Sequence, residues 1–300
     1  MVKTIGNPLS WMAQHVADVG HHVLENIDHI SSKDAPPKLR SLHMADLNAA
    51  LRLGYEDFCA ARTEVMMLVV FYPVVGLILI TMAFNMSLLP LLAPLMMGFA
   101  LLGPVAAVGL YEISRRREAG EDVSFTSAIG VLGAPSLGGI LVIGAYLFVL
   151  FMAWMLSAWA IYQATLGPAL PETVYGFAKS ALTTPAGWMM IFLGGIVGFA
   201  FALVVLATTV ISVPMLLDRK VGVAVAVGCS IQLVRSNPGV MLRWGVIVLA
   251  TLLLGVLPLL LGLVVALPIL GHATWHLYRK AVQKAGSEYR VGALSSAPPG

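Results

Sequence analysis

The sequence predicts an all-α membrane protein: a polytopic transmembrane bundle of six spans with both termini on the cytoplasmic side. Three observations carry this expectation. Of 300 residues, 59% are hydrophobic and only 11% charged, against about 25% charged in soluble domains. Four stretches, 65–111, 123–171, 180–217 and 244–278, contain no Asp, Glu, Lys or Arg. With six spans, every one of the 18 basic residues except Lys179 falls on one face, the pattern of cytoplasmic loops.

The spans follow from length. A membrane helix needs about 20 apolar residues to cross a core of about 30 Å. The stretch 65–111 therefore holds two helices, with the turn marked by Asn85, Ser87, Pro90 and Pro94. The stretch 123–171 holds one long helix at about 135–160 and a polar exit, and 180–217 holds one at about 186–213. The stretch 244–278 exceeds one straight span. Gly255 and Pro258 offer a reversal that splits it into helices at about 239–256 and 258–280; a single broken or tilted helix is the alternative. Only two spans there keep Arg279, Lys280, Lys284 and Arg290 on the basic face. Trp154, Trp159 and Trp188 are expected at the outer interface, and Trp244 and Trp275 at the inner one.

Three units rhyme along the chain. Short amphipathic segments at 45–63, 123–133 and 221–235 each precede a hairpin and suit helices lying at the interface. Pro104 stands eleven residues before Arg115, and Pro268 eleven before Arg279, while Pro214 precedes Asp218 and Arg219. Three parallel repeats of interfacial helix plus hairpin are the expected organisation, with chance similarity of apolar segments as the rival. Residues 41–283 form this membrane domain. Residues 1–40 form a cytoplasmic extension whose segment 11–30 is amphipathic. Met12, Val16, Val19, Val23 and Ile30 lie on one face, and His15, Asp18, His22, Glu25 and His29 on the other. That second face suits a solvated surface with local pairs, a loose cation site or a pH response. Residues 31–37 read as a linker and 284–300 as a disordered cytoplasmic tail. No apolar segment with a cleavage site precedes the first span, so no cleaved signal peptide is expected.

Candidate chemistry concentrates at the basic end. His272 and His276 stand four residues apart, on one face of the last helix, flanked by Trp275 and Tyr278. Such a pair suits two metal ligands, or a haem ligand and its neighbour. Glu112 and Asp218 occupy matching helix ends and are candidates to face the histidines, with Arg219 beside them. A substrate- or proton-binding cluster is one reading. Simple packing, with Glu112 paired to Arg115 and Asp218 to Arg219, is the other. Metal ligation is open, with His272 and His276 as the candidates, and no cofactor is otherwise implied. Gly194, Gly198 and Ala202 give a small-residue stripe for close helix packing. Cys59 and Cys229 are expected to be small buried hydrophobes rather than reactive or acylated thiols.

Several runs resemble a bacterial integral inner-membrane family called domain of unknown function 2189. They are PMLLDR at 214–219, Asn237-Pro238-Gly239, LPILGHATWHLYR at 267–279, Gly103-Pro104 with GLYE at 109–112, and LTTP at 182–185. The resemblance covers about 40–282. It implies a multi-pass protein of the bacterial inner membrane. Some members carry the label of a cytochrome c oxidase subunit, which implies a respiratory accessory role without implying a haem or copper site here.

No P-loop, GxSxG or HExxH run is present, so neither nucleotide hydrolysis nor protease chemistry is expected. A haem-copper centre needs more histidines within the spans than this chain has. The scattered basic residues give no nucleic-acid footprint. The chain is thus expected not to be an enzyme. Three functions stay open. The first is an accessory or assembly component of a larger membrane complex. The second is a carrier for a small or lipidic solute, drawing on Pro73, Gly76, Pro104, Pro214, Pro258 and Pro268 as helix breakers. The third is a metal- or haem-binding membrane protein. The lipid bilayer is the expected partner, with a larger complex or a homo-oligomer beside it.

Overall fold

The computed structural model describes residues 36–61, 88–124, 130–167, 171–256 and 261–282, with 74, 77, 78 and 81 singly. Most of the outward helix of the first hairpin, the segment 11–30, residues 31–35 of the linker, the turn at Pro258 and the tail lie outside these residues. So do residues 125–129 of the second interfacial segment, of which Gly130–Gly133 is a 3₁₀ turn.

The described residues are helical, with a single isolated bridge between Leu39 and Val282. Helix α1 (Met44–Ala60) matches the first interfacial segment. The His43 backbone N–H donates to Asp46 at 2.9 Å and holds its first turn. A 3₁₀ turn, Leu89–Leu91, leads into α2 (Leu92–Leu101), α3 (Gly103–Ala106) and α4 (Val108–Ala119). This return helix is broken rather than continuous. Pro104 falls in the first turn of α3, where its missing N–H is tolerated, and interrupts the ladder from α2. Helix α4 ends at Gly120, whose φ of 73° is left-handed.

Helix α5 (Leu137–Thr165) is the long span expected at 135–160. The polar exit after it contains a helix not foreseen from sequence, α6 (Val174–Thr183). Thr173 caps α6 by accepting from the Gly176 N–H at 2.9 Å. Thr184 caps the next helix by accepting from the Gly187 N–H at 3.0 Å, and Pro185 occupies its first position. That helix, α7 (Pro185–Thr209), continues after a short break as α8 (Ser212–Asp218). Helix α9 (Val223–Ser236) is the third interfacial segment, closed by Asn237 and Pro238.

The last apolar stretch forms two helices, α10 (Pro238–Val256) and α11 (Leu263–Ala281). They approach so closely near their junction that a Cβ on Gly255 would lie 2.8 Å from Leu263 Cδ2 and 3.2 Å from its backbone nitrogen. Three described helical segments are long and apolar enough to cross a membrane: α5, α7 with its continuation α8, and α10. Helix α11 carries the two histidines and two basic residues in its second half, which sets it apart from them.

The packed core lies at the charged end. Leu47 of α1, Ile211 and Met215 around α8, Leu233 of α9 and Trp275 and Tyr278 of α11 are fully or almost fully buried together. Trp244 is buried there too. Trp154 is also buried and donates from Nε1 to the Pro94 carbonyl at 2.7 Å. These three tryptophans are buried within the protein rather than presented on its surface. Only Trp159 and Trp188 of the expected belt are exposed. Away from the charged end the surface is apolar and open: 6% of the most apolar stretch of α7 is buried, against 22% for α5 and 17% for α10.

Candidate functional site at the charged end

The site is built where α11 crosses α1 and α4. Two glycines permit the crossing. A Cβ on Gly54 would stand 2.6 Å from the Ala273 backbone nitrogen, and one on Gly271 would stand 2.5 Å from Leu110 Cδ1. Both distances are shorter than real side-chain contacts allow: at Gly54 the backbones of α1 and α11 meet where only glycine fits, and at Gly271 a Cβ would displace the Leu110 side chain. The chain before α1 completes the assembly. The Arg40 N–H donates to the Ala281 carbonyl at 2.8 Å, and the Leu42 N–H donates to Asn237 Oδ1 at 2.8 Å.

Asp57 of α1 is the centre of the polar network. Its Oδ2 accepts from Ser114 Oγ at 2.5 Å and lies 2.8 Å from His276 Nε2. Its Oδ1 accepts from Arg117 Nη1 at 2.8 Å. Burial of Asp57 pushes its pKa up, but hydrogen bonds from His276 and Ser114 outweigh it and hold the carboxyl below its usual value. Ser114 Oγ also lies 2.7 Å from Nδ1 of His272, a fully buried side chain. The two histidines expected to form a pair thus reach one carboxylate by different routes, His276 directly and His272 through Ser114.

A second network runs beside the first. Tyr278 donates its hydroxyl hydrogen to Asp218 Oδ2 at 2.6 Å and accepts from Arg219 Nε at 3.3 Å. Arg279 Nη1 donates to Asp218 at 3.1 Å, and its Nε and Nη2 reach Glu118 at 3.1 and 2.9 Å. The Arg279 guanidinium stands 5.9 Å from the centre of the Trp275 ring, whose Nε1 donates to Glu118 at 3.2 Å. Helices α4, α8 and α11 are joined through these contacts.

Of the two readings offered for Glu112 and Asp218, pairing with their own neighbours is the one seen, and neither turns to the histidines. Both Glu112 oxygens are taken on α4 itself, by the expected Arg115 at 2.7 and 2.8 Å and by Arg116 at 2.7 Å. Its neighbours one turn on outcompete anything across the bundle. Asp218 reaches Tyr278 and Arg279 instead of His272 or His276. Its expected pairing with Arg219 survives at 3.8 Å. Asp57, Ser114, Arg117 and Glu118 were missed from sequence. Asp57 is the one with a legible signal, a carboxylate on the apolar side of the amphipathic α1 beside Phe58 and Gly54. Among the described residues no group of three or more His, Cys, Asp or Glu side chains is placed to hold a metal ion. His272 and His276 are engaged with Ser114 and Asp57 rather than turned to a shared centre. Cys229 is buried as expected, and burial raises its thiol pKa, whereas Cys59 is exposed on the outer side of α1.

Two clefts open to the surface. One, of about 490 Å³, lies between 41–44 and 236–243 and is lined by His43, Asn237 and Arg243. The other, of about 270 Å³, lies between the end of α5 and α6 and is lined by Tyr162, Glu172 and Phe177.

Residues 91–218 match a family model described as predicted integral membrane protein (DUF2189). No curated protein and no solved structure matches the chain.

Proposed function

We propose that this integral membrane protein serves as an accessory or assembly component of a larger membrane complex. One observation carries the reading: among the described residues α7 is almost bare. Met189, Phe192, Ile196 and Phe199 are exposed along it, and no described residue of another element lies within 4 Å of where a Cβ on Gly194 or Gly195 would be. Small residues on an apolar helix let a second helix approach closely. The network at the charged end supports the same reading, because it fixes the scaffold from which α7 projects. In this reading the basic end faces the cytoplasm of a bacterial inner membrane, six spans cross it, and a respiratory oxidase is the first complex to examine.

The test is extraction of the tagged full chain from native membranes in a mild detergent. Co-purification of other membrane subunits in fixed stoichiometry is the expected result, with their loss in Gly194→Leu. A chain that comes out alone would overturn the accessory reading and return attention to a solute carrier.

A further inference from the structure

A count of hydrogens in the Asp57 network has a consequence beyond packing. Ser114 has one hydroxyl hydrogen and two close neighbours, Asp57 Oδ2 at 2.5 Å and His272 Nδ1 at 2.7 Å. Asp57 is also met by Arg117 at 2.8 Å and His276 at 2.8 Å. A carboxylate so placed is ionised and only accepts. The Ser114 hydrogen therefore goes to Asp57. Nδ1 of His272 must then carry a hydrogen and donate it to Ser114, because two lone pairs at that distance would repel. A neutral imidazole has one N–H, so Nε2 is left with a bare lone pair. That atom is buried and has no hydrogen-bond partner among the described residues.

We propose that His272 is a proton-binding site whose tautomer is set by Asp57 through Ser114. In the unloaded state the order is His272 Nδ1–H to Ser114, and Ser114 O–H to Asp57. Loading adds one proton to the Nε2 lone pair and breaks no bond. The chain to Asp57 keeps its direction. A buried acceptor without a donor costs about 1–3 kcal/mol; loading satisfies that atom but places a positive charge in a buried site, which burial itself and the nearby Arg117 and His276 oppose and Asp57 favours. The charged surroundings are specific. Asp57 comes from α1, Arg117 from α4, and His276 lies one turn along α11. Helix α8 brings Asp218 further along α11, to Tyr278 and Arg279. Helix α10 has a single charged residue, Arg243, which lines the cleft beside His43. The remaining charges of α1 and α4 pair with one another or with Trp275, Arg279 and Lys280.

The test is nitrogen-15 NMR of the full chain, labelled at histidine and held in lipid nanodiscs, with His272→Gln used to assign the signals. At neutral pH the expected His272 has Nδ1 protonated and Nε2 bare, and acidification moves the Nε2 signal to the protonated position. In Asp57→Asn or Ser114→Ala the preference for Nδ1–H is lost. An Nε2 that already carries hydrogen at neutral pH in the unaltered chain overturns the proposal, as does one that stays bare down to the pH of unfolding. An unchanged tautomer in the folded variants also overturns it. The reading of the unaltered chain stands even where a variant does not fold.

Discussion

The crossing of α1, α4 and α11 and the length of α7 solve opposite problems. At the crossing, Gly54 brings two backbones into contact, Gly271 makes room for the Leu110 side chain, and Asp57 takes hydrogen bonds from three side chains around it. Along α7, Gly194 and Gly195 face open space and the large apolar side chains are uncovered. The same residue type thus marks a close contact in one region and, in the other, a face left open by the described residues, which the proposed function reads as an unmade contact. The contrast teaches that a small residue in an apolar helix is informative only with its neighbour in view.

The sharpest way to break the comparison is to place one substitution in each region. Gly54→Ala forces a Cβ into the Ala273 backbone and is expected to cost about 3 kcal/mol or more. Gly194→Ala meets nothing and is expected to change stability by at most about 1 kcal/mol, in the stabilising direction. Thermal unfolding of the two variants in detergent checks this, and equal melting temperatures would contradict it.

Removing the central carboxylate comes next. Asp57→Ala strands Arg117, His276 and Ser114 together, and breaking such a partly buried ion pair costs about 3 kcal/mol. The same melting experiment reads it, and a change within about 0.5 kcal/mol would show that solvent replaces the carboxylate freely.

Acid gives a smaller and graded effect. The Asp57 pKa is lower folded than unfolded. Its contribution is therefore complete above the ordinary carboxylate range near 4 and is lost as pH falls below it. Stability should drop on acidification through that window, and Asp57→Asn should flatten the drop. A pH profile that is unaltered in the variant would assign the acid response to other groups.

The mildest prediction concerns the thiols. Cys59 is exposed, while Cys229 is buried with a raised pKa, so maleimide is expected to modify Cys59 alone in the folded chain. Mass spectrometry after digestion distinguishes the two, and equal labelling would contradict the packing of α9.

Much of the architecture was legible because the bilayer constrains it. Uncharged stretches located α5, α7 and α10, and Gly255 located the separation of α10 from α11. What was not legible had local causes. Helix α6 is only ten residues long and lies in the exit between two spans, where its amphipathic pattern and its Thr173 cap are overshadowed by the apolar stretches on either side. Trp244 and Trp275 are core residues because the charged end folds into a packed layer, which residue type alone does not reveal. Within the site, His272, His276, Tyr278, Asp218 and Arg219 were found from charge and spacing. Asp57 and Ser114 were not, because their importance comes from an interhelical crossing spanning more than 150 residues of sequence.

The most direct test of the central contrast is to extract the tagged full chain carrying Gly194→Leu in mild detergent, beside the unaltered chain. The expected result is an unchanged melting temperature together with loss of the co-purifying subunits. An altered melting temperature, or partners retained in full, would contradict the account of α7 as an unmade contact.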